Sequence, residues 1–405
     1  MRKKILIFSL FYYPNPVSGA EVAVKEITDR LKHKDYEFHM VTLRGTKKIP
    51  NNEQVENIFV HRIFPGANEK PKLEDFSKFP FKYYKYLYQV FAGFYSIYLN
   101  LKYKYDAVWV LMPQTAGVPA SILNLFFPKI PIILTLQEGD PIDHIEKSVS
   151  PLWPLFARIF RHATVVQAIS TYLGNWAKAR GATCPINIIY NGANENDFKE
   201  EHDQETLEKI KKQINRQDGE VILVTTSRLV HKNAIDDVIK SLQYLPANIR
   251  FIIAGAGEDV DKLKTQVENL NLEKRVTFLG QVNRYETSIL RKLGDIFVRP
   301  SRSEGLGNSF AGAMAAKIPV IATQEGGIAE FLFDSARNPN FPPTGFAVDK
   351  NSPKQIAEKV LYIINNKEFV KQVVDNAYNL VVEDYRWDNI AKKMEEKVFK
   401  FVLKL

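Results

Sequence analysis

Glu304 stands second in the stretch SEGLGNSFAGAMAAKIPVIAT (303–323), where glycines follow at 305 and 307, and a third, Gly312, lies in the alanine-rich helical run after them. A carboxylate at the lip of a glycine-lined turn can accept hydrogens from sugar hydroxyls. The free amides where the helix starts, around Gly305, Gly307, Asn308 and Ser309, can hold phosphate oxygens. A second stretch, TTSRLVHKN (225–233), puts Arg228 and Lys232 just beyond an apolar strand, where two fixed cations can hold a departing diphosphate or simply face water. Three more glycine turns follow strand-like runs: Gly19 in NPVSGAEV, Gly255 and Gly257 in IAGAGED, and Gly326 and Gly327 in EGGIAE. Taken singly, each such turn requires no more than a special backbone conformation.

Buried strands must carry these loops. Apolar runs occur at 3–9, 37–43, 106–111, 131–136 and 163–169, then at 220–226, 249–254, 275–279, 294–298 and 318–322. Several are apolar at consecutive positions, as strands covered on both faces are, and helical patterns alternate with them. Two doubly wound parallel sheets follow, with ligands expected beyond the carboxyl ends of the strands. A chain of 405 residues exceeds one ordinary core. The polar stretch 199–219 separates the two series. The expected division is 1–197, 198–382 and an amphipathic C-terminal segment, 383–405, packing back on the first domain.

Composition narrows the partners. Apolar residues are 45% and charged residues 25%, the profile of a globular protein. A lone cysteine, Cys184, rules out a disulfide framework and fits a reducing cytoplasm. The N-terminal MRKKILIFSLFYYP reads as a first buried strand, because no small-residue cleavage site follows its short apolar run. No apolar run reaches the ~18 residues of a membrane span. The net charge of +9 favours anionic partners. Segment 76–105, from Phe76 to Tyr105, holds thirteen aromatic residues among thirty. It reads as a half-buried helix, as an aromatic–lysine surface touching a membrane or lipid carrier, or, least favoured, as a base-stacking surface. Nucleic acid is not the expected partner.

In this order and spacing the loops resemble the retaining glycosyltransferases of family 4, strongest over 221–348 through SRLV, GAGED, FLG, PSRSEGLGNSF, PVIATQEGG and TGFAV. In the first half the resemblance rests on the Gly19 loop, AIS (168–170) and NGANENDF (191–198). It implies the GT-B fold, two Rossmann-like domains facing each other across a cleft. It also implies transfer of a sugar from a nucleotide-sugar co-substrate to an acceptor hydroxyl with retained configuration and no metal or other cofactor. By position, Arg228 would bind the diphosphate, Glu304 would face the donor sugar, Gly307, Asn308 and Ser309 would meet the phosphates, and Gly280 and Val282 would lie near the base. Donor would bind the second domain and a glycan or lipid-linked acceptor the first, in the cytoplasm or at the inner face of the membrane.

Three positions depart from the family pattern. The second glutamate of its E-x7-E pair is Gly312 here, leaving either room for a differently posed ligand or a tightly packed helix. A lysine is replaced by Asn233, with Lys232 as the nearest substitute. A histidine is replaced by Gln137 in TLQEGDP (135–141), where Glu138 and Asp140 can orient an acceptor. The alternative reading is a non-catalytic GT-B sugar- or nucleotide-binding module, or the silent partner of a transferase complex. A dehydrogenase is disfavoured, since no glycine turn has G-x-G-x-x-G spacing with a following acid.

Overall fold

The computed structural model describes residues 2–15, 18–32, 35–69, 71, 75 and 78–405. It divides into two compact units, Met1–Asn191 with Trp387–Leu405, and Gly192–Arg386. The breaks therefore fall at 191/192 and 386/387, rather than at 197/198 and 382/383. The polar stretch 199–219 that separates the two series lies within the second unit, where Gln204–Ile214 is a helix.

The first unit is built on β1 (Lys3–Phe8), β2 (Tyr36–Leu43), β3 (Asn52–Val55), β4 (Ile58–Ile63), β5 (Ala107–Leu111), β6 (Ile132–Leu136), β7 (Val165–Ala168) and β8 (Ile186–Ile188). Their order across the sheet is β3-β4-β2-β1-β5-β6-β7-β8. All pairs are parallel except β3–β4, an antiparallel hairpin at the edge that the sequence reading did not anticipate. The runs of β5 and β6, AVWVL and IILTL, are buried at every residue because helices cover both faces. Three of those helices are α1 (Gly19–Arg30), α2 (Phe81–Tyr103) and α3 (Pro113–Phe126).

The second unit carries β9 (Val221–Thr226), β10 (Ile249–Ala254), β11 (Val276–Gly280), β12 (Ile296–Arg299), β13 (Val320–Ala322) and β14 (Phe346–Ala347), in the order β11-β10-β9-β12-β13-β14 and parallel throughout. Two of its helices matter below, α4 (Arg284–Leu293) and α5 (Asn308–Ala315). Near the C-terminus, α6 (Trp387–Met394) belongs to the first unit. Trp387, Ile390, Met394, Val398 and Phe399 enter that unit's core beside Ile5, Phe38 and Trp109.

In each sheet the strand order reverses at one place. β1 lies between β2 and β5, and β9 lies between β10 and β12. Chain leaving adjacent strands on either side of such a point turns to opposite faces, which opens a crevice beyond their carboxyl ends. The loop carrying Arg228 follows β9, and the loop carrying Glu304 follows β12. Both therefore rise from the switch point of the second sheet.

Candidate active site

Backbone packing fixes the loops at this switch point. Ser227 donates to the carbonyl of Ala254 at 3.1 Å, Leu229 to that of Ala256 at 2.9 Å, and Asp259 back to that of Leu229 at 3.0 Å. A Cβ on Gly255 would stand 1.8 Å from the Ser227 carbonyl oxygen, and one on Gly257 2.2 Å from that of Leu229. These two glycines let the 227–229 loop lie against the chain leaving β10. On the other side, Gly327 donates to the carbonyl of Glu304 at 3.0 Å, and a Cβ on Gly326 would come within 2.1 Å of the same oxygen. The EGGIAE turn thus clamps the backbone of Glu304. Arg302, in turn, donates its amide to the carbonyl of Lys232 at 2.6 Å, tying the two functional loops together.

The Glu304 side chain is held from below. Arg299, the last residue of β12 and almost fully buried, donates from Nη2 to Glu304 Oε2 at 2.8 Å and from Nη1 to Ser309 Oγ at 2.7 Å. Its guanidinium lies 4.1 Å from the centroid of the Phe310 ring. The other oxygen of Glu304 accepts from the amide of Gly305 at 3.1 Å. Gly307, at φ 89°, turns the chain into α5, and a Cβ there would meet the Phe310 ring and Arg299 Nη2 at 2.5 and 2.7 Å. Asn308 and Ser309, which open α5, are half-buried. Arg228 is exposed, and Lys232 is half-buried. Gly280, at φ 69°, has open space around it, and Val282 is half-buried two residues on.

Gly312 answers the question its sequence raised. A Cβ at 312 would lie 2.6 Å from Arg291 Nη1 and 2.6 Å from Asp197 Oδ2. Arg291, on α4, donates from Nη1 to both oxygens of Asp197 at 2.7 Å and from Nη2 to Thr226 Oγ1 at 3.0 Å. Both members of the pair are buried. The space beside α5 is therefore filled by a guanidinium and a carboxylate of this chain, not reserved for a ligand. Arg291 and Arg299 were not singled out in the sequence, and Asp197 stood there only within NGANENDF (191–198). One signal was available for Arg299, a charge closing the apolar strand IFVR.

Asn233 also differs from its expected role. It is buried, and its Nδ2 donates to the carbonyl of Arg228 at 2.6 Å, closing the turn on which Arg228 stands. Around it Thr225 Oγ1, Ser227 Oγ, Ser301 Oγ, Asn233 Oδ1 and Arg299 Nε are buried with no hydrogen-bond partner among the described residues. So many unsatisfied polar atoms at the carboxyl ends of the neighbouring strands β9 and β12, and in the loops that follow them, call for water or a polar ligand.

In the first unit, Gly19 starts α1, and Ser18 before it donates its amide and hydroxyl to Glu21 Oε2 at 2.8 and 2.6 Å. That carboxylate covers the N-cap, so the expected anion-binding role there is weakened by an acid of the helix itself. Gln137 follows β6 and accepts from Asn191 Nδ2 at 2.8 Å. Glu138 is buried, not open to an acceptor, and burial pushes its carboxyl up to about 8. Its Oε2 accepts from the amide of Gln137 at 2.9 Å, while Oε1 has no partner among the described residues. Asp140 is half-buried. Among the described residues, no group of three or more His, Cys, Asp or Glu side chains is placed to hold a metal.

Two family models between them match most of the chain: "Glycosyltransferase Family 4" over residues 17–197 and "Glycosyl transferases group 1" over residues 207–396. An uncharacterized glycosyltransferase of Methanocaldococcus jannaschii is 24% identical over 422 aligned residues, 98% of this chain and 99% of that protein. The alpha-monoglucosyldiacylglycerol synthase of Streptococcus pneumoniae is 26% identical over 217 residues, 50% of this chain and 49% of that protein. The crystal structure of Anabaena HepE in complex with UDP-glucose superimposes with a TM-score of 0.76 at 19% identity, covering 98% of this chain and 99% of that one. The fold is GT-B. With the two family models it makes this chain a family 4-like glycosyltransferase.

Proposed function

We propose that the chain transfers a sugar from a nucleoside diphosphate donor to a hydroxyl of a glycan or glycolipid, with retention of configuration and without a metal. The observation that carries this reading is the Glu304 carboxylate, clamped through its backbone by Gly326–Gly327 and through its side chain by Arg299, at the switch point where Arg228 stands exposed. Glu304 accepts hydrogens from donor hydroxyls. Arg228, with Lys232 and the amides of Gly307, Asn308 and Ser309, takes the charge that develops on the leaving diphosphate, and this preorganised positive field does the work of a cation. Gly280 and Val282 line the base. Gln137 and Asp140 orient the acceptor on the first unit, while buried Glu138 supports the turn that carries them. The UDP-glucose held by HepE and the diacylglycerol in the synthase's name support a nucleotide-sugar donor and an acceptor at a membrane surface. We place the chain in the cytoplasm, at the inner face of the membrane.

A donor screen tests this. The purified chain is incubated with UDP-, GDP-, ADP- and dTDP-sugars, with and without a crude lipid or glycan extract, and nucleoside diphosphate release is read by mass spectrometry. Glu304→Gln, checked for an unchanged melting temperature, is the control. Release from one donor that falls on the order of 100-fold in the control supports the transferase. Release unaffected by Glu304→Gln and Arg228→Ala overturns the assignment of roles. No release from any donor together with no nucleotide binding favours the non-catalytic module.

A further inference from the structure

Helix α2 is covered on one side only. Tyr88, on its inner face, donates to the carbonyls of Ser9 and Val41 at 3.1 and 2.9 Å, fastening the helix across the ends of β1 and β2. Gly93 lets it close on α3, since a Cβ there would stand 2.8 Å from Ile122 Cβ. The opposite face carries Tyr83, Leu87, Val90, Phe94, Tyr98 and Leu101, spaced at three and four residues, and all are exposed. Phe91 and Phe94 are each 56% exposed and Leu101 65%. Phe79, just before the helix, and Phe126, at the end of α3, extend the patch. Such a continuous apolar stripe is unusual on a chain whose core is otherwise closed.

Charge says what covers it. No acidic residue occurs between Lys78 and Tyr105, while Lys82, Lys102 and Lys104 are exposed along the helix and Lys129 just beyond α3. At the carboxyl end of α2 the stripe meets a cavity of about 340 Å³ whose lining includes Asn100, Lys104, Tyr105, Phe126 and Lys129, two of them lysines that suit a phosphate headgroup. Protein interfaces are depleted in lysine. Lysine stems and tyrosine rings instead suit the boundary of a bilayer, where the apolar part sinks and the polar tip stays in the headgroups. Among the described residues no helix is long and apolar enough to cross a membrane, so a bilayer would meet α2 as a helix lying flat.

We infer that the exposed face of α2, with the end of α3, is a docking surface for an anionic lipid bilayer. This deepens the membrane setting proposed above, and its test reads lipid binding rather than turnover, so either can fail alone. The full chain is sedimented with vesicles of phosphatidylglycerol mixed with phosphatidylethanolamine, and with vesicles of phosphatidylcholine alone. Binding to the anionic vesicles is expected to exceed that to phosphatidylcholine at least tenfold and to weaken with salt. The double variant Phe91→Asp/Phe94→Asp is expected to lose at least tenfold in affinity at unchanged melting temperature. Lys82→Glu/Lys102→Glu/Lys129→Glu should lose the preference for anionic lipid. Equal binding by wild type and both variants, or none by wild type, overturns the inference. So does a dimer in solution that Phe91→Asp/Phe94→Asp turns into monomer without changing vesicle binding, which would assign the face to a second copy.

Discussion

Arg299 grips Glu304 and Ser309 at once, donating to their side-chain oxygens at 2.8 and 2.7 Å from beneath the loop that presents both. The guanidinium ends a buried strand and rests on the Phe310 ring, so it cannot follow a ligand outward. It fixes where the carboxylate and the start of α5 stand relative to each other. Burial first pulls the Arg299 guanidinium down from its ordinary value, the charge of Glu304 offsets part of that cost, and the nearby Arg291 and Arg228 charges add to it. The pair is therefore mutually dependent.

Arg299 acts on the reaction through Glu304. Arg299→Met is expected to lower kcat on the order of 100-fold, with KM for the donor changing far less, because the carboxylate is retained but no longer aimed. Arg299→Lys keeps the charge but cannot bridge two acceptors in one plane, and should recover part of the loss. Steady-state kinetics on folded variants decide it. Equal losses in Met and Lys variants, tracking their melting temperatures, would reduce Arg299 to a structural role.

Restoring an acid at position 312 should harm the protein. Glu in place of Gly312 must displace Arg291 or Asp197, both buried and bonded to each other at 2.7 Å. Breaking a buried ion pair costs about 3–5 kcal/mol. A large fall in melting temperature is expected for Gly312→Glu and a smaller one for Gly312→Ala, whose Cβ meets the same atoms. A stable Gly312→Glu with tighter nucleotide binding would show that the ion pair yields to a ligand-gripping acid.

Glu138 gives stability a pH slope. Its carboxyl is raised from 4.5 to about 8, first by burial, with Asp140 adding to the rise and backbone hydrogen bonds opposing it. The folded state therefore holds this proton more tightly than the unfolded chain. Its contribution is complete below pH 4.5 and is lost as pH rises toward about 8. Glu138→Gln keeps the shape and removes the titration. Its melting temperature should gain on wild type as pH rises from 5 to 8, and parallel curves would contradict the shift.

The fold was legible because its signals are local. The ten apolar runs recognised in the sequence all became strands, within a few residues of their expected ends. Of the missed strands, β3, β8 and β14 are edge elements, and β4 lies between β3 and β2. β3 and β8 are nowhere fully buried, β14 is two residues long, and β4 is masked by the polar residues His61 and Arg62, both buried in the fold. At the site, glycines and the exposed Arg228 were legible because loop chemistry shows in residue type. Arg291 and Asp197 were not, since their partnership joins residues far apart in sequence, and the meaning of Gly312 depended on that pair. Asn233 looked like a lost cation when read alone, whereas its partner is a carbonyl five residues back.

Asn233 yields the sharpest contrast between those two readings. If position 233 is a phosphate-binding position that lost its lysine, Asn233→Lys should raise turnover without unfolding the loop. The structure argues otherwise. Asn233 Nδ2 donates to the Arg228 carbonyl at 2.6 Å in a buried setting, and a lysine there forfeits that bond and buries a charge. Asn233→Ala isolates the first loss, about 1 kcal/mol for one hydrogen bond, since the Arg228 carbonyl still accepts from the amide of Val230 at 3.1 Å. Asn233→Lys should cost more than Asn233→Ala in melting temperature. Both should weaken donor binding, because the turn that carries Arg228 loses its closure. Arg228→Ala, at an exposed position, is expected to weaken donor binding while leaving melting unchanged. The three variants, compared by thermal unfolding and by nucleotide titration, separate support of the turn from direct contact with phosphate.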